Sequence, residues 1–294
     1  MHKFFKQRDG WLYIAPALLL YTLFTIVPLP ILFITATQNH NAIISMGSVG
    51  FANFAQVFKD QTFWTAHFNT YISLAVTLFI TVPLCLLYAL VLDRTKSTFI
   101  RNFFKFGVML PSVLSVAVMG QLYKGFLEPQ KGIINTLLNL VGLEEWALAW
   151  LSRSDTAIWS IIGVGFLFGG GITVIMFYAA IKAIPPQYYE AASIDGANFW
   201  QASLKITIPM LQDIMKYILV TSVTGSLCTF ELIQVLTNGG PNKATYTVIL
   251  YIKNTGFSDY NFGYACAMAV IFFFECVLIS FTVNKLTDKE PLEY

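Results

Sequence analysis

The sequence predicts an all-α polytopic membrane protein with six spanning helices, and three observations carry that prediction. Only 12% of the 294 residues are charged while 56% are hydrophobic, against about 25% charged in soluble globular chains. The apolar residues are gathered into blocks long enough to cross a hydrocarbon core, which takes about 20 residues of helix. The blocks lack the alternation of membrane β-strands, and a helix satisfies its backbone polar groups within one segment. The net charge of +2 is too small to mark a nucleic-acid partner. Membrane lipid is the expected surrounding.

Six blocks qualify, near 11–36, 69–92, 104–124, 157–181, 214–236 and 262–284. The first follows Lys3, Lys6 and Arg8 and runs from Trp11 to about Ala36. It exceeds the roughly 7–15 apolar residues of a cleaved signal peptide. It is therefore expected to stay as a spanning helix, with Pro28 and Pro30 bending its outer end. Lys and Arg set the orientation, because they collect on the cytoplasmic side. Twelve of the eighteen, counting Lys216 just inside the fifth helix, fall on the side holding the N-terminus, the 93–105 loop, the 182–213 loop and the C-terminus. Both termini, the segment 1–10 and the 182–213 loop are thus expected in the cytoplasm, and 1–294 reads as a single transmembrane domain. On the outer side, Phe51, Phe54, Ala55 and Phe58 repeat at helical spacing, as in an interfacial helix. Ile133 to Leu138 has a similar character, and Asn238-Gly239-Gly240-Pro241 punctuates the third outer loop. The chain shows no internal repeat or low-complexity tract.

The 182–213 loop is more ordered in its sequence than a linker needs to be. Pro185-Pro186 ends the fourth span, and Pro suits the first turn of a following helix. Residues 187–195 favour a short helix that Gly196 can close in the left-handed conformation. Asn198 with Gln201 reads as a capping box opening a second helix, which Pro209 ends. The product is helix–glycine–helix along the membrane surface, with Tyr188, Tyr189, Ala191 and Ala192 close to any partner. By physics alone, an ordinary amphipathic connector explains this pattern as well as a docking surface does.

Residue by residue, Glu190-Ala191-Ala192, then Asp195-Gly196-Ala197 and the stop at Pro209, resemble the Glu-Ala-Ala loop of membrane subunits of binding-protein-dependent ABC importers. Asn53-Phe54, Phe63-Trp64, Asn69-Thr70 and Gly239-Gly240-Pro241 with Ala244-Thr245 are similar to the sugar-importing branch, in particular to the first permease of maltose-type importers. The likeness spans nearly the whole chain. It departs from the maltose prototype in lacking extra N-terminal helices and a large outer domain, which removes one basis for assigning maltose. The resemblance implies the six-helix type I importer permease fold in a bacterial plasma membrane. It implies a coupling helix at about 186–197 fitting a cleft on an ATPase, with Tyr189, Glu190, Ala191, Ala192, Asp195, Gly196, Ala197 and Pro209 as coupling residues. It implies as partners a second permease, two cytoplasmic ATPase subunits, an extracellular solute-binding protein and a sugar or oligosaccharide, with glycerol-phosphate-like solutes next.

ATP and Mg are expected on the ATPase chain and no cofactor on this one. Gly163, Gly165 and Gly169-Gly170-Gly171 lie within a span and lack the Lys of a phosphate loop. They read as close-packing or bending positions. Glu231 and Glu275 fall inside spans, where an ionised carboxylate costs at least about 2.5 kcal/mol. Glu231 with Gln234 reads either as a pathway acceptor for sugar hydroxyls or as a neutral Glu packed on the partner permease. Tyr178, Tyr217 and Phe230 can stack on sugar faces. Glu275 has no polar neighbour at helical spacing. Cys85, Cys228, Cys266 and Cys276 lie in apolar segments and read as small buried residues. His2, His40 and His67 are scattered near ends and loops, and no catalytic constellation is present, so a transport subunit and not an enzyme is expected. Two competing readings remain: an ion-coupled secondary carrier using Glu231 and Glu275, and a membrane scaffold that presents the loop without carrying flux.

Overall fold

The computed structural model describes residues 7–41 and 44–287. Along the chain, α1 (Gln7–Tyr21) and α2 (Pro28–Ala36) make the first span, followed by a hairpin of β1 (Gln38–His40) and β2 (Ser45–Ser48) and the short helix α3 (Ala52–Lys59). Next, α4 (Gln61–Val76) and α5 (Val82–Arg94) form one 34-residue apolar helix. Then α6 (Thr98–Val113), α7 (Val116–Phe126) and α8 (Ile133–Leu140) precede α9 (Ala157–Gly169) and α10 (Gly171–Ala183). The 182–213 loop holds α11 (Pro186–Ile194), α12 (Phe199–Ala202) and α13 (Ile208–Met210). The chain continues through α14 (Gln212–Leu227), α15 (Glu231–Leu236), α16 (Val248–Phe257) and α17 (Phe262–Thr287).

Among the described residues, five helices are long and apolar enough to cross a membrane, and six if the pair α6 and α7 counts as one span. That pair, expected as one spanning helix near 104–124, is bent by 103°. Leu114 is extended (φ −77°, ψ 148°) three residues after Pro111, and Ser115 restarts the helix by accepting from the Val118 N–H. The second span starts at Gln61 and not near 69, because the buried His67, Asn69 and Thr70 dilute its apolar signal. Within the expected cytoplasmic segment 1–10, helix begins at Gln7, and residues 1–6 lie outside the described part, as do 288–294 at the other terminus.

Three short π-turns interrupt these helices among the described residues, at Thr22–Ile26, Thr77–Thr81 and Ser203–Thr207. Each ends two residues before a proline: Pro28, Pro83 and Pro209. In each, the residue before the proline donates its N–H to the carbonyl five residues back, as Val27 does to Thr22 at 2.9 Å. A proline ring clashes with the carbonyl four residues before it, and widening the helix by one residue relieves that clash. The same seven-residue pattern recurs: Ser or Thr, Leu, three residues, Val or Ile, Pro.

The chain divides into two compact units. In the unit of 1–60 and 252–274, Asn53 Nδ2 donates to the carbonyls of Ala36 (2.9 Å) and Gln38 (3.0 Å), tying α3 to the end of α2. Tyr264 donates to Asp60 Oδ2 at 2.7 Å, and Phe33 meets the Phe273 ring edge-on at 6.3 Å. In the unit of 61–251 and 275–294, α10 packs along α5, with Val174, Phe177, Tyr178 and Ile181 buried against Leu86, Ala89 and Leu90. The glycine triplet serves close packing. α9 and α10 meet at Gly170 within one 27-residue span, and at Gly171 a Cβ would stand 2.3 Å from the Val108 carbonyl oxygen, so only glycine lets α10 approach α6 this closely. A second core joins Ile161 and Val164 of α9 to Leu232, Ile233 and Leu236 of α15.

Candidate functional site

A cavity of about 310 Å³ opens within the larger unit. Three helical segments bring hydroxyls to its wall: Ser73, Thr77 and Thr81 from the α4–α5 helix, Thr173 from α10, and Ser222, Ser226 and Thr229 at the end of α14. The rest of the wall is apolar, with Phe166 and Gly165 from α9 and Leu232 and Ile233 from α15. Among the described residues this wall is uncharged. Ser73 donates to the Asn69 carbonyl (2.8 Å), Thr77 to Ser73 (2.9 Å) and Thr229 to Gly225 (2.8 Å). With the proton spent on the helix, each of these hydroxyls presents lone pairs to the cavity. The wall is built to accept hydrogen bonds and to lie against apolar faces.

The second feature is the 182–213 loop. α11 turns Tyr188, Glu190, Ala191 and Ile194 outward, and Ile194 is 87% exposed. Gly196 (φ +76°) ends the helix in a Schellman turn: its N–H reaches Ser193 O at 3.1 Å, and the Ala197 N–H reaches Ala192 O at 2.9 Å. Asn198 and Gln201 then exchange both bonds of a capping box, at 2.8 and 2.9 Å. Pro209 is the second residue of α13, and the chain turns two residues beyond it at the buried Leu211.

Tyr189 differs from its expected placement. It faces inward, packs on the core with Phe199, Ile208 and Met210, and bonds Thr207 Oγ1 at 2.9 Å. Burial pushes its phenol above the ordinary tyrosine range, partly offset by the bond to Thr207. Ala192 is half-buried on the same side. Three residues spaced 189, 190 and 191 point in different directions around a helix of 3.6 residues per turn, so Glu190 and Ala191 are exposed where Tyr189 is not.

The residues expected to line a pathway lie outside the wall of this cavity. The fifth span breaks at Cys228–Phe230, and Glu231 is an exposed first-turn residue of α15. Thr229, Leu232 and Ile233 line the cavity, whereas Phe230, Glu231 and Gln234 are absent from its wall. Tyr178 is buried in the α5–α10 core with Lys105 Nζ 3.7 Å from its ring centre. Cys228, expected to be buried, is exposed at the end of α14.

Glu275 does have polar neighbours, supplied by another helix. His67 Nε2 lies 2.9 Å from Glu275 Oε2, and the Tyr71 hydroxyl donates to the same oxygen at 3.0 Å. His67 is buried within α4, not near a loop, and its Nδ1 stands 2.9 Å from the Phe63 carbonyl. That carbonyl only accepts, so Nδ1 carries a proton, and the bond to Glu275 then needs one more. The pair is either imidazolium on carboxylate or neutral imidazole accepting from a protonated acid. Sequence spacing along one helix carries no trace of such a contact. The hydroxyl-lined cavity was foreshadowed only by Ser73, Thr77 and Thr81 recurring at helical intervals.

Comparisons with known proteins match this geometry. Residues 81–290 match the family model described as binding-protein-dependent transport system inner membrane component. The arabinooligosaccharides transport system permease protein AraP of Bacillus subtilis is 28% identical, covering 96% of this chain and 89% of its own. The lactose transport system permease protein LacF of Rhizobium radiobacter is 29% identical, covering 95% and 94%. A chain of the bacterial alginate ABC transporter, solved in complex with an alginate pentasaccharide-bound periplasmic protein, superposes with a TM-score of 0.87 at 25% identity, covering 97% of this chain and 96% of that one. The helices, the loop they converge on and these matches agree: the chain belongs to the inner-membrane components of binding-protein-dependent transport systems and is a multi-pass permease subunit of an ABC importer, not an enzyme.

Proposed function

We propose that this chain forms one half of the pathway of an ATP-driven importer of uncharged oligosaccharides, with both termini and the 182–213 loop in the cytoplasm. One observation carries the reading: every helix that brings a hydroxyl to the cavity also meets the loop. α10 runs from Thr173 into it, α14 leaves it toward Ser222 and Ser226, and the α4–α5 helix ends beside it at Arg94. A displacement imposed on the loop therefore has a helical route to the cavity along each of three segments.

The chemistry of the wall suits a saccharide. Sugar hydroxyls donate into the lone pairs of Ser73, Thr77 and Thr229, and the apolar C–H face of a pyranose lies against Phe166. The names of the arabinooligosaccharide and lactose relatives support the substrate class. The alginate neighbour's complex with a periplasmic protein supports delivery by a solute-binding protein. A second permease completes the wall, and two ATPase subunits carry ATP and Mg and dock on the outward face of α11 around Ile194, Ala191 and Glu190. Glu190, Asp195, Gly196, Ala197 and Pro209 act by shaping that face, while Tyr189 and Ala192 hold it to the membrane core.

The test is a bulky residue in the cavity. Ser226→Trp is expected to abolish oligosaccharide uptake into proteoliposomes while the ATPase still co-purifies with the variant complex. Uptake at the wild-type rate would remove the cavity from the pathway. An uncoupler that abolishes wild-type uptake would favour the ion-coupled carrier instead.

A further inference from the structure

Asp93 and Arg94, the last two residues of α5, grip the 182–213 loop on both of its arms. On the entering arm, Lys182 Nζ stands 2.5 Å from Asp93 Oδ1, four residues before α11 begins. On the leaving arm, the Arg94 guanidinium lies 4.8 Å from the centre of the Phe199 ring, and Phe199 is the first residue of α12. Between these two points the loop is internally stiff. The Schellman turn at Gly196, the capping box of Asn198 and Gln201, and the bond of Tyr189 to Thr207 leave α11 and α12 few soft dihedrals.

The same 34-residue helix carries Thr81, Thr77 and Ser73 in the cavity wall, so the gripped end and the wall belong to one span. We propose that the Asp93–Lys182 ion pair and the Arg94–Phe199 stack are a two-point clamp that makes the α4–α5 helix follow the loop. Asp93, Arg94, Lys182 and Phe199 are thereby positioning residues for transport. The clamp rests on the reading of the loop as the ATPase dock. α10 and α14 are joined to the loop by the chain itself, whereas α5 reaches it only through side chains and packing. Among the described residues, the Asp93–Lys182 pair and the Arg94–Phe199 stack link the end of α5 to the loop through charged side chains.

The clamp's value lies in geometry and not in stability. Lys182 and Asp93 side chains are 50% and 31% exposed, and exposed pairs of this kind add little to folding. A positioning role therefore predicts loss of coupling without loss of the complex. The stack also explains why Arg94 can be exposed and still matter, since a guanidinium over an aromatic face fixes orientation as well as distance.

The experiment compares sugar taken up per ATP hydrolysed in reconstituted complexes. Arg94→Ala and Lys182→Asp are expected to bind the ATPase with wild-type affinity and hydrolyse ATP, yet move roughly two- to five-fold less sugar per ATP. Arg94→Lys keeps a cation over the ring but loses the guanidinium plane, so it should retain more coupling than Arg94→Ala and less than wild type. The exchanged pair Asp93→Lys with Lys182→Asp should restore what Lys182→Asp loses. Ile194→Asp, on the outward face, separates the two layers of the argument. If it loses the ATPase while every clamp variant transports at the wild-type ratio, the clamp is wrong and the docking face stands. If Ile194→Asp retains the ATPase in full, the docking face fails and the clamp fails with it. A swap that does not rescue a clearly uncoupled Lys182→Asp also overturns the ion pair's role.

Discussion

Substitution of Gly196 gives a graded test of the loop's geometry. The residue sits at φ +76°, and a Cβ built there meets nothing within 4 Å. Any penalty must come from the backbone and not from crowding. An L-residue in the left-handed region costs about 1–2 kcal/mol, less for Asn. The free loop escapes that strain by unwinding its end, at the expense of the Gly196 N–H to Ser193 and Ala197 N–H to Ala192 bonds, each worth about 0.5–1.5 kcal/mol net. The ATPase must then restore the wound form. The strain sets a ceiling of about thirty-fold on the loss of ATPase affinity for Gly196→Ala, with several-fold expected. Gly196→Asn should lose less, Gly196→Val more, and Gly196→Pro, which can neither reach positive φ nor donate to Ser193, should lose transport altogether. The assay is equilibrium binding of the ATPase to purified variants, run beside uptake in proteoliposomes. Equal affinities for Gly, Asn and Ala, or Asn weaker than Ala, would refute the argument.

Three further outcomes follow from particular contacts. Gly171→Leu places a Cβ where the Val108 carbonyl stands, so it should lower the yield and melting temperature of the purified chain, whereas the same change at Gly163, where a Cβ meets nothing within 4 Å, should not. His67→Leu removes one of the two hydrogen-bond partners of Glu275, leaving Tyr71, and should destabilise the protein by about 1–3 kcal/mol; thermal melting in detergent should show His67→Leu with Glu275→Leu recovering much of that loss. Glu231→Gln, outside the cavity wall, should leave the uptake curve unchanged, while Thr77→Val, which deletes one set of lone pairs, should raise the half-saturating sugar concentration.

Much of this architecture was legible because its signals are local. The positions of the apolar blocks, the Gly196 turn and the Asn198–Gln201 capping box all follow from short-range rules, and the helix ends obey them. Boundaries failed where a span is polar for a reason of packing, as at His67, Asn69 and Thr70. The break inside 104–124 needed Pro111 and Ser115 to be read together as a stop and a restart. The π-turns were written in the sequence too, as a recurring Ser/Thr-Leu and Val/Ile-Pro pattern, but their meaning appears only when the ladder of hydrogen bonds is traced. The hydroxyl-lined cavity was the least legible part. Glu231 drew attention because charge is rare in a span, yet the wall is made of Ser and Thr, whose individual positions carry little weight in a linear reading. Tyr189 and Tyr178 are aromatic side chains that anchor cores, and sequence does not distinguish that role from contact with a partner or a sugar.

In the function proposed above, ATP hydrolysis drives an uncharged saccharide through the hydroxyl-lined cavity. The most direct measurement is uptake of labelled oligosaccharides into proteoliposomes holding this chain with its co-purified partners, ATP inside and the solute-binding protein outside. Uncharged arabino- and gluco-oligosaccharides should accumulate with ATP, persist in the presence of an uncoupler, and outpace a uronate oligomer of equal length. Accumulation that ignores ATP and collapses with the ion gradient would contradict it.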